Sequence, residues 1–255
     1  MKNTLFTFVL SFLAFVSFSQ EKISEKPEDY NINDKTLSKV FSDAWTEEYT
    51  FVSQTNRITI DSDTTLTEMT MFSYDPHLKL GNRWKFIKKE GVEASKGDLE
   101  IFLNTSHKKA VKNNKFKVTE LIKREYVKFD SVSEDYIIFS FQIPENKLPE
   151  EYKFVQYIKG YILISKKTNT FEKIALEITQ PTQGIHYFLN SAKGEYYYQY
   201  DKKNDRVILI RHTMNLEIKG EEGTVYKLKQ EDLYTDQVYV GVSEKQKKQK
   251  DKNKK

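Results

Sequence analysis

Four histidines, two tryptophans and no cysteine are the chemically distinctive residues of this chain. His77, His107, His186 and His212 fall in no H-x-x-H or H-E-x-x-H spacing, so no pair of them is set to share a metal on one helix. The zero cysteine count removes thiolate nucleophiles, thiolate metal sites and disulfides together. No G-x-S-x-G elbow is present, and nine glycines leave little material for a phosphate-cradling loop. The carboxylate pairs Glu221-Glu222 and Glu231-Asp232 are expected at turns, where solvated acids are routine. The residues point to no catalytic group, no metal and no cofactor.

His212 is the histidine with a chemical case. In "RVILIRHTMNLEIKG", residues Ile208, Ile210, His212, Met214, Leu216 and Ile218 share one strand face by alternation, while Arg211, Asn215 and Glu217 take the other. An imidazole on an apolar face is either a ligand or base inside a pocket, or a partly buried ring bonded to a neighbour. Nothing near it in sequence supplies that neighbour. In "YIIFSFQI", Ile137, Phe139, Phe141 and Ile143 form a second apolar face. Phe139, Phe141, Ile210, His212 and Met214 are therefore the candidate ligand-binding residues. Tyr196, Tyr198 and Tyr200 in "GEYYYQY" alternate along one face, as a stacking groove or as cross-strand packing.

The densest cluster of uncommon residues is "MFSYDPHLKLGNRWKF", residues 71–86. Pro76 fixes φ and ends a strand, Gly81 allows the return, and Trp84 with Phe86 enters the core beneath a following helix. Asp75 and Arg83 flank the turn and are placed to pair across it. Asp75, Pro76, Gly81, Arg83 and Trp84 thus define a structural corner.

Around these residues the dominant hydrophobic period is two. Runs beginning near Val52, Leu66, Trp84, Tyr136, Gly160, Phe171, Arg206 and Val225 alternate, with turn signals at Asp75-Pro76, Thr168-Asn169, Lys202 to Asp205 and Gly220 to Gly223. "KVTELIKREYVKF" alternates as well. About nine to eleven strands joined without intervening helices predict a mainly β, α+β fold: one large curved antiparallel sheet or an unclosed barrel with a few short helices. Helical spacing predicts a short helix after an Asp34 cap and another after Ser95, whose stripe is Leu99, Phe102 and Leu103, and a weaker signal covers Gly184 to Ser191.

Residues 1–19 have the make-up of a signal peptide: Lys2, an apolar run to Phe18, and Ser17 and Ser19 before a cut at Gln20. Without a cysteine at the cut, the exported chain is not a lipoprotein. A single domain over 20–243 precedes a lysine-rich tail at 244–255, which holds seven lysines against Glu244 and Asp251. Of the net charge of +4, Lys2 carries one and the tail five, which leaves the body near −2. A tail of this composition is expected to be disordered, with weak contact to anionic membrane surfaces as its functional use. Nucleic acid is not an expected partner, since the body has no basic patch.

"FSYDPHLKLGNRWKFIKKEGVEASKGDLEIFLN" resembles a group of exported bacterial proteins that share an Asp-Pro turn, a G-x-R-W strand and a capped helix in that order. "GYILISKKTNTFEKIALEI" and "RVILIRHTMNLEIKGEEGTVYKLKQEDLYTDQ" resemble the end of the LolA/LolB type of lipoprotein-localisation fold, in which an unclosed antiparallel barrel lidded by helices shelters acyl chains. That resemblance implies a non-catalytic periplasmic or secreted carrier for a lipid or other apolar ligand. The alternative is a structural or interaction module of the cell envelope without a ligand cavity. The chain is longer than a typical LolA, and its tail and its Asp-Pro/G-x-R-W corner are not LolA features.

Overall fold

The computed structural model describes residues 23–40, 46–61, 64–79, 82–93, 95, 97, 122–148, 150–183, 187–220 and 222–242. The expected signal peptide, the lysine tail, the body of the helix begun by Ser95, and Gly81, His107 and His186 lie outside the described residues.

Most of the alternating sequence becomes antiparallel sheet. Among the described residues twelve strands form: β1 (Tyr49–Ile60), β2 (Thr65–Tyr74), β3 (Trp84–Lys89), β4 (Val92–Glu93), β5 (Val127–Val132), β6 (Tyr136–Gln142), β7 (Ile158–Ser165), β8 (Phe171–Ile178), β9 (Thr182–Gln183), β10 (Tyr187–Asp201), β11 (Arg206–Gly220) and β12 (Val225–Tyr239). They make one sheet in the order β4-β3-β2-β1-β12-β11-β10-β8-β7-β6-β5, with β9 set against β10. The sheet is not closed: β4 and β5 end it, and the first and last long strands, β1 and β12, meet in its middle.

The expected turns are where the chain reverses. Asn169 supplies a left-handed residue between β7 and β8, Asp205 one between β10 and β11, and Gly223 one between β11 and β12, where a side chain on Cβ would be strained. Two expectations are corrected. Tyr187 onward is strand rather than helix, because Phe188 and Leu189 pair with Gln183 and Thr182 of β9. The stretch before Val127 is not strand in its described part, since Arg124–Tyr126 make a 3-10 turn.

Opposed residues of antiparallel strands project to the same face, so register fixes what each face carries. One line of register crosses ten strands: Phe129, Phe139, Ile162, Ile174, Tyr196, His212, Asp232, Thr55, Thr70 and Lys89. The line changes from apolar through aromatic to polar. The next line over runs Val127, Phe141, Gly160, Leu176, Gly194, Met214, Gln230, Arg57 and Glu68, with the same gradient. The apolar end is buried under helix α1 (Asp34–Val40), which sets Leu37 and Val40 into it together with Ile32, Val155 and Leu148. The opposite sheet face is charged and cross-linked, with Lys173 bonded to Glu195 at 2.8 Å and Arg211 to Glu231 at 2.7 Å. One face is a core and the other is solvated, as a half-covered antiparallel sheet requires.

Asn33, not Asp34, caps α1. The Thr36 N–H donates to Asn33 Oδ1 at 3.0 Å, and the Asn33 carbonyl accepts the first helical bond from Leu37 N–H at 2.9 Å.

Candidate functional site

The polar stretch of the core-bearing face centres on Asp232, which lies mid-strand in β12 and is buried. Glu231-Asp232 lies within β12 and not at the expected turn, as the hairpin register shows. Lys219 opposes Val225 just beyond the Gly220 to Thr224 turn, and counting evenly back along both strands brings His212 opposite Asp232. His212 Nδ1 lies 3.0 Å from Asp232 Oδ2. From the other side, Thr55 Oγ1 donates to Asp232 Oδ1 at 2.6 Å, and Gln230 Nε2 donates to Oδ2 at 2.9 Å.

Burial pushes the Asp232 carboxyl up, but the hydrogen bonds from His212, Thr55 and Gln230 outweigh it and hold the group below its ordinary value. An ionised carboxylate offers only acceptors, so the nitrogen facing it, Nδ1, carries the proton. The ring plane is set by Tyr196, stacked at 4.4 Å between centroids and 20° between planes. Nε2 is left pointing away from Asp232. Among the described residues it has no hydrogen-bond partner, and it is not sealed from solvent.

The network continues along the neighbouring line of register. Gln230 Oε1 accepts from Arg57 Nε at 3.1 Å and Nη2 at 2.9 Å, and Arg57 Nη1 lies 3.9 Å from Glu68. Gln230 therefore links a buried anion to a cation whose side chain is 44% exposed. Beyond this cluster the same face turns apolar again. Leu216 opposes Leu228, Leu228 opposes Thr59, Thr59 opposes Leu66, and Ile218 opposes Tyr226. Met214, Leu216, Ile218 and Leu228 are half-buried and Leu66 is 57% exposed.

The five candidate ligand residues do not form one surface. Phe139 and Phe141 are buried in the main core, the former against Tyr30 and Phe129. Ile210 belongs with a second cluster built on Tyr49, Phe51, Tyr74 and Ile208. The cause is a bulge in β11: Tyr197 opposes Arg211, but Tyr198 opposes Leu209, so Ile210 is the extra residue. Residues 212 to 218 keep the expected face, while Ile208 opposes Gln199 and packs in the other cluster. Only His212 and Met214 remain neighbours, two positions apart on the part-exposed face.

The corner that joins β2 to β3 is described up to Lys79 and again from Asn82. Pro76 is fully buried, and Asp75 N–H donates to the Arg83 carbonyl at 2.9 Å. The expected side-chain pair does not form: Asp75 Oδ1 instead accepts from His77 N–H at 2.8 Å, and Arg83 Nε donates to the Leu78 carbonyl at 3.4 Å. Trp84 sits edge-on to Phe51 at 5.6 Å and tilted against Tyr74 at 4.8 Å, and Phe86 stacks on Phe72 at 4.8 Å. His77 Nε2 lies 3.0 Å from the Gly241 carbonyl. Among the described residues no cluster of three histidines or acids could hold a metal ion, and no helix is long and apolar enough to cross a membrane.

No protein family or curated protein matches the chain. Among solved structures it is similar to a domain from Vibrio parahaemolyticus described as an outer membrane lipoprotein-sorting protein domain. The identity is 12%, the TM-score 0.30, and the match covers 85% of this chain and 96% of that one. It is also similar to a DUF1329 family protein from Desulfovibrio piger, at 8% identity and a TM-score of 0.30, over 86% of this chain and 96% of that one. At a TM-score of 0.30 neither likeness bears on what this chain binds.

Proposed function

We propose that this is a non-catalytic, exported binding or carrier protein, acting in the periplasm or outside the cell, that holds a lipid or other apolar ligand against the core-bearing face of its sheet. The observation that carries the reading is the half-buried apolar strip of Met214, Leu216, Ile218 and Leu228, which continues the core face past the residues that α1 covers. Apolar side chains left part-open on one face, opposite a charged face, are the usual lining of a ligand site. The complete burial of Phe139, packed against Tyr30 and Phe129 in the main cluster, favours a second reading, an envelope interaction module whose sheet is filled by its own side chains. Native mass spectrometry of protein purified from its own host separates the two. A co-purified species of lipid mass is expected; bare protein, together with no uptake of a fluorescent fatty acid, would overturn the carrier reading.

A further inference from the structure

The polar cluster beside the apolar strip is more elaborate than a sheet face needs. Three donors converge on Asp232, and their combined effect is to hold one imidazole in one tautomer and one plane. The network ends on Nε2, which has no partner among the described residues and is open to solvent. Arg57, the cation of this network, is engaged by Gln230 through two nitrogens. Met214 follows His212 by two positions on the same face, with Leu216 and Leu228 beyond it. An apolar chain lying along Met214, Leu216 and Leu228 would bring its polar end to the imidazole.

We infer that His212 Nε2 accepts a hydrogen bond from a hydroxyl on the ligand, so that the ligand class is an amphiphile with a free hydroxyl at its polar end. The inference rests on the carrier reading above and narrows it. An anionic head is disfavoured at this position because the Asp232 charge lies directly behind the ring and Glu68 flanks Arg57. Asp232, Thr55 and Gln230 are positioning residues: they touch His212 or one another, and His212 alone meets the hydroxyl.

The test is a matched pair of probes on the full-length purified protein: oleyl alcohol against its methyl ether, each competing with a fluorescent acyl probe. The alcohol donates a hydrogen bond and the ether does not, while the chains are the same. The alcohol should bind about tenfold more tightly, the worth of one hydrogen bond at a part-buried site. His212→Phe keeps a ring against Tyr196 and removes the acceptor, so it should bring the two affinities within about twofold. Equal affinities in the unaltered protein would overturn this inference and leave the carrier reading standing. Binding of neither probe would remove both. The unaltered protein decides alone, so a variant that fails to fold does not rescue the proposal.

Discussion

A buried carboxylate stays ionised at Asp232 because three donors reach it, and this makes it a point of acid sensitivity. Its folded-state pKa lies below the unfolded one, so the stabilisation is complete above about pH 4 and is lost as pH falls through the lowered value. Asp232→Asn should cost about 1 to 3 kcal/mol at pH 6 in a urea melt, and the gap to the unaltered protein should shrink by pH 3. A gap that persists at pH 3 would place the effect in packing. Close packing, not charge, governs Gly160: a Cβ there would overlap the Phe141 ring, so Gly160→Ala should destabilise by about 1 to 3 kcal/mol. Trp84→Ala, which empties an aromatic cluster, should cost about 3 kcal/mol and leave ligand uptake by the remaining folded protein unaltered. His212 stood out in the sequence because an imidazole interrupts an apolar alternation. Asp232 did not, since it is one acid among many until a hairpin register twenty residues wide is drawn. Thr55, which completes the site, is 177 residues from Asp232, a pairing that no local pattern announces.

Individual strands are well marked in this chain because alternation and turn chemistry are local properties. The β7–β8 and β11–β12 hairpins have the expected strands and turns, Asn169 and Gly223 included. What alternation does not mark is a bulge. One extra residue at Ile210 divides β11 between two clusters, although its sequence is the most regular in the chain. Deleting Ile210 should restore even pairing with β10 and leave Leu209 opposite Tyr198 and Ile208 opposite Gln199, each on its present face. The expected result is a cooperative melt shifted only by the lost Ile210 contacts with the second cluster. At α1 the sequence points one residue too far along, since either Asn33 or Asp34 has the chemistry of a cap and only the backbone decides. Asn33→Ala should cost about 1 kcal/mol through the lost cap, whereas Asp34→Ala would act through the Arg124 N–H that its carboxylate accepts at 2.7 Å.

Across the whole molecule, burial is uneven in a way that amide exchange should report. The β6–β8 region holds Phe139, Ile162, Ile164 and Ile174 with no exposure, and its amides should exchange only on global unfolding. β3 and β4, at the opposite end, carry Val92 at 69% exposure and should exchange first. The meeting of β1 and β12 sets an order in time as well as in space. A chain made from its N-terminus forms β1 early and must leave one long edge of it bare until β12 arrives. Closing so long a loop is entropically slow, and an unpaired edge in the interval invites the wrong partner. The pairing that closes last therefore carries the Thr55–Asp232 bond, so the polar cluster around Asp232 comes into being only at the final step of assembly.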